Sequence, residues 1–495
     1  VAIEHPARRA LVDAQDDRRG VTYAELRQEI LSRAQYFLDR GLRPGNLTVL
    51  NMEGADRIDD LLAFLAMTCI GVGVYASSMS SDVERQVAER LEIGHEIVSV
   101  PTTQTPRTSI VVPRYEEFRK RPGTNTVNDP TVADALGLPW LVRSTSGTTG
   151  EPKVFITTHE LGISRRERYY SATGLASDSV FLTLTSIRFG AARQRVFYAL
   201  SQGASVVIQP EDVTLESVIE TARKHRVTHL YCVPMHLTRC CQFARLIGER
   251  LGPRPLLPNL VNLESSSSVV SPELARSVRS LISPGFSNSY AASEVGHVSS
   301  TRLCTEAEAE EDEAVSNIGK PVEGVEIAIV DERLTPVPTG TRGLIAVRFT
   351  SRPTQVAYLD SRRQWVSETK RGYFLPGDIG YFSQTGNLIF ECRADDMMIC
   401  DGINIYPREI ESVLEAHPAV AEAAAFPVSS AVHGSMPVAA VTLRSGLSEG
   451  PELFEYCRLR LGIRAPHHVA VMAALPRNHL GKILKRELSA MFREA

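Results

Sequence analysis

The chain has 495 residues, enough for two or three domains and a large core. Its 54 Lys and Arg against 58 Asp and Glu give a formal charge of −4, which argues against nucleic acid or an anionic membrane as partner. The apolar share is 43 %, and no apolar run approaches the ~20 residues that span a bilayer, so no membrane-spanning helix is expected.

Residues 1–9 have no apolar signal-peptide core. The eight cysteines are scattered, mostly among apolar neighbours, and none has zinc-pair spacing. Both features predict a cytoplasmic protein with reduced cysteines. Thr22, with Glu25 three residues on, predicts a capped helix start. Residues 59–71 predict a mostly buried helix, and the apolar run 138–142 predicts a buried strand. From 154 to 235, helical patterns alternate with β-rich runs at 204–208 and 229–233, which argues for α/β layers with parallel sheet. Residues 325–330 and 343–349 predict strands of a β-rich subdomain. A charged stretch at 393–396 precedes a terminal segment with a strand at 397–400, a helix at 407–416 and Ala/Val-rich runs at 419–426 and 437–443.

The densest chemistry lies from Ser144 to Lys153, Ser-Thr-Ser-Gly-Thr-Thr-Gly-Glu-Pro-Lys. Glycines let backbone N–H groups crowd around an anion, hydroxyls add donors and the lysine adds charge, so a polyphosphate is the natural guest. No Gly-Lys-Ser/Thr closes the loop, so it is not a Walker A motif. Four later stretches share this reading. Asn288-Ser-Tyr-Ala-Ala-Ser-Glu294 offers an aromatic face, a hydroxyl and a carboxylate for Mg²⁺. Asp378, in Leu-Pro-Gly-Asp, is a turn aspartate able to accept from vicinal ribose hydroxyls. Arg393-Ala-Asp395-Asp396, followed by Gly402-Ile-Asn-Ile-Tyr-Pro407, reads as an interdomain joint. Gly481-Lys482 places a lysine on a loop near the end of the chain. Each of these alone has an ordinary alternative, as a turn, a surface glutamate or a solvated lysine.

Together and in this order the stretches resemble the adenylate-forming superfamily: acyl- and aryl-CoA synthetases, luciferases and peptide-synthetase adenylation domains. The resemblance runs from Thr22 to Lys482. It implies an α/β fold: a large N-terminal domain of layered sheets with helices and a β-rich subdomain, residues 1–393, and a small mobile α+β C-terminal lid, residues 394–495. It implies an ATP-dependent ligase that activates an acid as an acyl-adenylate, releases pyrophosphate and passes the acyl group to a thiol. Thr145, Ser146, Gly147, Thr148, Thr149, Gly150 and Lys153 match the phosphate loop. Tyr290 matches the residue beside adenine, Ser293 the hydroxyl near the α-phosphate and Glu294 the Mg²⁺ carboxylate. Asp378 and Arg393 match the ribose pair, Asp395 the hinge and Lys482 the catalytic lysine. Glu294 and Lys482 are intact, which speaks against a non-catalytic paralogue.

The acid pocket departs from the family pattern. No carboxylate occurs from Thr185 to Gln209, so a deep substrate ammonium would lack a partner, and ordinary α-amino acids are disfavoured. Arg188, beside Phe189, stands near a position where many CoA ligases have histidine. With Arg193 and Arg195 it implies either an extra anionic or strongly polar group on the substrate, or salt bridges and phosphopantetheine contacts. The seven-residue spacing of Arg188 and Arg195 predicts a shared helix face. Ser267 and Ser268, within Ser265-Ser-Ser-Ser, replace a Gly/Ala/Pro stretch, and Ala291 stands where glycine is common. Both changes predict a small or unusual acid, a class that includes an inorganic oxyanion such as nitrite passed to an amine. Gly402 leaves room for a pantetheine arm, so CoA is the expected acceptor, with a carrier protein as the alternative.

Overall fold

The computed structural model describes all residues except 17–19, 53–55, 77–80, 100–106, 114–135, 147–151, 211–212, 252–254, 306, 309–315, 351–356, 360–364, 368, 431–433, 445–451, 479–480 and 493–495. The chain forms two compact units. The first comprises residues 1–303, 321–326 and 348–374, and the second residues 304–320, 327–347 and 375–495. This division groups 375–393 with the C-terminal segment, whereas the sequence places a boundary after 393.

The first unit holds two sheets. In one, Thr108–Val111, His95–Val98, Leu47–Asn51, Gly73–Ala76 and Pro139–Ser146 run parallel in that order. The chain then turns back, and Pro152–Thr158 pairs antiparallel to Pro139–Ser146. In the other, Arg9–Asp13, Ser205–Ile208, Val180–Thr183, His229–Cys232, Asn262–Ser265 and Phe286–Ala292 are parallel neighbours. The predicted alternation of helices and β-rich runs thus gives parallel sheet, since parallel neighbours require crossover connections.

Local chemistry sets the helices. Tyr23–Asp39 opens on the expected capping box: the Glu25 N–H donates to Thr22 Oγ1, and the Thr22 N–H donates to Glu25 Oε2 at 2.8 Å. Arg57–Cys69 is buried along most of its length, as its apolar run predicts. His159–Thr173 packs on Trp140, which is 1 % exposed, through Gly162. A Cβ at Gly162 would lie 2.5 Å from the indole, so no other residue admits this approach. Phe37, Phe64, Trp140, Tyr169, Phe181 and Tyr231 share one apolar core.

In the second unit, Asp378–Phe382 pairs antiparallel with Leu388–Arg393 and, on its other side, with Gly343–Phe349. The C-terminal part is a sheet of Ile403–Ile405, Met398–Cys400, Gly434–Leu443 and Val420–Ser430, with His468–Val471 parallel to Gly434–Leu443. Helix Pro407–Glu415 starts with proline at its first turn and buries Ile410 and Leu414. No described helix is long and apolar enough to cross a membrane.

Candidate active site

The antiparallel pair Pro139–Ser146 and Pro152–Thr158 fixes both ends of the hydroxyl-rich loop. Thr145 stands opposite Lys153, and Ser146 opposite Pro152. Gly147, Thr148, Thr149 and Gly150 lie outside the described residues, as do the side chains of Thr145 and Ser146. Ser144 meets the Tyr75 hydroxyl at 3.2 Å. Lys153 is exposed, with Nζ 5.5 Å from the Tyr358 ring centroid.

Tyr290 and Ala291 end the strand Phe286–Ala292, and a tight turn at Ser293 and Glu294 leads into Gly296–Ser300. The turn is tied down from several sides. Tyr358 donates to Glu294 Oε1 at 2.8 Å. Arg165, on helix His159–Thr173, donates to the Glu294 carbonyl, and Arg168 donates to the Val295 carbonyl at 2.9 Å. Gly296 adopts φ +80°, and a Cβ there would come within 2.9 Å of Arg165 Cγ. Glycine meets both demands. Ser293 is exposed and Glu294 half-buried. Among the described residues Glu294 Oε2 has no hydrogen-bond partner, so the carboxylate keeps lone pairs for a hard cation. Mg²⁺ binds through few protein carboxylates and retains water and phosphate ligands, so this donor set fits it.

In the second unit, Asp378 is the first residue of a strand rather than a turn residue, and it is 5 % exposed. Arg393 lies opposite it in register and donates to Asp378 Oδ1 at 2.9 Å and to the Pro376 carbonyl at 2.7 Å. Gly377, at φ +80°, lets this guanidinium pass, since a Cβ would meet Arg393 Nη2 at 3.0 Å. Asp395 is exposed in a short 3₁₀ turn, residues 394–396. Gly402 is exposed at φ +77°, and a Cβ there would find no described atom within 4 Å. Lys482 is exposed but its backbone is fixed. Its N–H donates to Asn478 Oδ1 and its carbonyl accepts from the Asn478 N–H, both at 3.0 Å, beside Gly481 at φ +79°. The following helix, Lys485–Met491, is held by Leu488 in the core and by Lys485 on Glu411 at 2.6 Å.

The arginines resolve differently from the expectation. Helix Gly190–Gln202 starts after Arg188, so Arg188 and Arg195 do not share a helix face. Phe189 is the N-cap and supplies no side-chain cap. Arg188 donates to the Met52 carbonyl at 3.2 Å. Arg193 forms a buried pair with Asp60 at 3.0 Å. Arg195 pairs with Glu264 at 2.5 Å, which also accepts from His297 at 2.9 Å and from Tyr169 at 3.2 Å. For Arg193 and Arg195 the salt-bridge alternative therefore holds, and their acids come from outside the 185–209 window. Burial alone would raise the Glu264 carboxyl, but Arg195 and His297 hold it well below the usual carboxylate range. Burial pulls His297 down despite its bond to Glu264, so the imidazole is neutral near pH 7.

Ser266 accepts from Arg195 at 3.0 Å, and Tyr231 meets Ser266 and Ser267 at 3.3 Å. Ser267 is exposed at φ +83°, the conformation of a glycine position, and Ser268 is half-buried. Sequence reasoning missed Glu264, His297, Arg143 and Arg165. No local spacing links them, and only the crossovers bring their strands and helices together.

A model of the AMP-binding enzymes matches residues 1–351, and a model of the C-terminal domain of AMP-binding enzymes matches residues 409–482. The chain is 26 % identical over 480 residues to acetyl-coenzyme A synthetase of Bacillus subtilis, covering 89 % of this chain and 81 % of that protein. It is 25 % identical over 502 residues to 2-succinylbenzoate–CoA ligase of Geobacillus kaustophilus, covering 96 % and 94 %. Its fold matches O-succinylbenzoate coenzyme A synthetase of Bacillus subtilis in complex with ATP and magnesium ion, with a TM-score of 0.80, 23 % identity and 98 % of both chains covered. The two family matches take in most of the chain, with the hydroxyl-rich loop, the Glu294 turn and Lys482 inside them and Asp378, Arg393, Asp395 and Gly402 between them: it belongs to the AMP-binding, adenylate-forming enzymes and is an ATP- and Mg²⁺-dependent, AMP-forming acid ligase.

Proposed function

We propose that the enzyme adenylates a small carboxylic acid beside the Glu294 turn and transfers the acyl group to CoA. The anchored Glu294 carboxylate carries this reading. It stands one residue after Ser293 and four after Tyr290, on a turn whose carbonyls are held by two buried arginines. In the first half-reaction a carboxylate oxygen of the acid attacks the α-phosphorus of ATP. A P–O bond forms, the bond to the β-phosphate oxygen breaks, and pyrophosphate leaves. Tyr290 lies against adenine, Asp378 accepts from the ribose hydroxyls and Arg393 orients Asp378. The Thr145–Lys153 loop and Ser293 donate to phosphate oxygens, and Lys482 offsets the charge that builds in the transition state. Mg²⁺ held by Glu294 would offset the charge on the phosphates. Asp395 is the hinge about which residues 394–495 turn between the half-reactions. In the second, the CoA sulfur attacks the acyl carbon, its proton is lost, and AMP leaves.

Gly402 supports CoA as acceptor, because its backbone is exposed and no described atom lies within 4 Å of a Cβ built there. The chain's likeness to a CoA ligase over 96 % of its length points the same way. A cytoplasmic setting agrees with eight free cysteines.

The test is acid-dependent pyrophosphate release across fatty, aryl, hydroxy and inorganic acids, with product identified with and without CoA. Lys482→Ala should lower the rate about 10²–10³-fold. Full activity in that variant would remove Lys482 from its role. An acyl-adenylate that turns over on a carrier protein but not on CoA would transfer the acceptor assignment to the carrier.

A further inference from the structure

Among the described residues, Arg143, Arg165 and Arg168 near the Glu294 turn form no ion pair; Arg168 spends its N–H groups on the Ser164 hydroxyl and the Val295 carbonyl, and the Glu294 carboxylate acts on Arg143 and Arg165 only at longer range. Arg143 lies on the strand Pro139–Ser146, immediately before Ser144, where the hydroxyl-rich stretch begins. Among the described residues its one hydrogen bond runs to the Gly190 carbonyl, at 3.4 Å, and a Cβ on Gly190 would touch its Nη2 at 3.4 Å. The guanidinium therefore rests on the first turn of helix Gly190–Gln202, whose N-terminus lacks a side-chain cap. Arg165 is 1 % exposed. It gives one N–H to the Glu294 carbonyl, while Nε and Nη1 have no partner. Tyr198, on the same helix as Gly190 and 3 % exposed, has a buried hydroxyl that also lacks a partner. These groups feel one another. Burial and the Arg165 charge pull the Arg143 guanidinium down to about 10, and the Arg143 and Arg165 charges both act on the Tyr198 phenol.

The two arginines inside helix Gly190–Gln202 are different. Arg195 has Glu264 and Arg193 has Asp60. A buried cation without a countercharge is costly, and a buried donor without an acceptor adds to that cost. Such groups cluster where a ligand completes them. The reacting carboxylate cannot be the lasting countercharge, because it becomes a neutral acyl carbonyl once it is adenylated. A second anionic group on the acid persists through both half-reactions.

We infer that Arg143, Arg165 and Tyr198 receive a second carboxylate of the substrate, so that the acid activated by this enzyme is a dicarboxylate. The inference rests on the ligase reading above and names its substrate class. Arg143 presents N–H donors at the first turn of the pocket helix, Arg165 adds Nη1 and Nε, and Tyr198 adds a hydroxyl. A guanidinium and a carboxylate match in both charge and fork geometry.

The test measures kcat/KM for pyrophosphate release with matched pairs, each a dicarboxylate and its half-amide, over aliphatic and aryl spacers. Nitrite is run beside them. The wild-type enzyme should prefer the best dicarboxylate over its half-amide about a hundredfold. Arg143→Gln should cut that preference tenfold or more, and Arg143→Lys, which keeps the charge, should retain most of it. Thermal melting of both variants checks folding. Equal or better use of the half-amide, or nitrite as the best acid, would overturn the inference while leaving the ligase reading intact. A rise in KM for ATP in Arg143→Gln with the acid preference unchanged would assign the arginine to the phosphates and overturn it as well. Failure of every acid to release pyrophosphate would strike the ligase reading itself.

Discussion

Glu264 and Arg195 have side chains 2 % and 5 % exposed, so each depends on the other for its charge. Glu264→Gln leaves a buried guanidinium without its countercharge and should cost about 3–5 kcal/mol, read from the denaturation midpoint at pH 7. The sign with pH follows from the depressed carboxyl. Its folded-state pKa lies below the unfolded value of about 4.3, so the stabilisation is fully present above that value and drains away as pH falls toward the folded pKa. The stability gap between wild type and Glu264→Gln should therefore shrink from pH 6 to pH 3; a constant gap would contradict the pairing. At this scale the sequence was only partly readable. Asp378 and Arg393 stand fifteen residues apart and meet in register across two paired strands, a contact that the turn expected at Asp378 did not foretell. Arg193 and Arg195 were visible, but their partners Asp60 and Glu264 lie far away in sequence, and no window that scans for nearby acids finds them. Ser267 hid a backbone feature in the same way: a serine at φ +83° looks ordinary until the strand it follows is placed.

The decisive element is the turn between Phe286–Ala292 and Gly296–Ser300. It aims Glu294 because Arg165 and Arg168 hold its carbonyls and Gly296 lets Arg165 pass. Gly296→Ala combines an unfavourable positive φ with a 2.9 Å approach to Arg165 Cγ. It should cost about 1–3 kcal/mol in stability. It should also raise the Mg²⁺ concentration needed for half-maximal pyrophosphate release, because the carboxylate loses its fixed aim. Wild-type Mg²⁺ dependence in that variant would show that the clamp does not position Glu294. Periodicity served well for elements of this kind. The runs at 325–330 and 343–349 form strands with those bounds, and the Thr22 capping box starts its helix. It failed at Arg188, where a seven-residue spacing suggested one helix face although the helix begins at Gly190. A spacing argument holds only inside one element, and sequence places element ends poorly.

Across the whole molecule, each of the two compact units carries residues expected to serve ATP. Tyr290, Ser293, Glu294 and Lys153 belong to the first, and Asp378, Arg393 and Lys482 to the second. MgATP should therefore slow amide exchange both around residues 290–296 and around 376–378. At about a hundredfold over Kd it should stabilise the protein by about 2.7 kcal/mol. Absence of protection at either segment would contradict the ATP role given to its residues. The α/β architecture was readable from alternating patterns and the ordered motifs, whereas the grouping of 375–393 with the C-terminal segment depends on strand pairing that no local pattern encodes. The account as a whole stands on an acyl-adenylate made next to Glu294. Acid-dependent exchange of labelled pyrophosphate into ATP, without CoA, tests this most directly, comparing wild type with Glu294→Gln. The account predicts exchange that requires the acid and Mg²⁺ and falls about 10²–10³-fold in the variant. Release of ADP and phosphate in place of AMP and pyrophosphate, or exchange undiminished in Glu294→Gln, would contradict it.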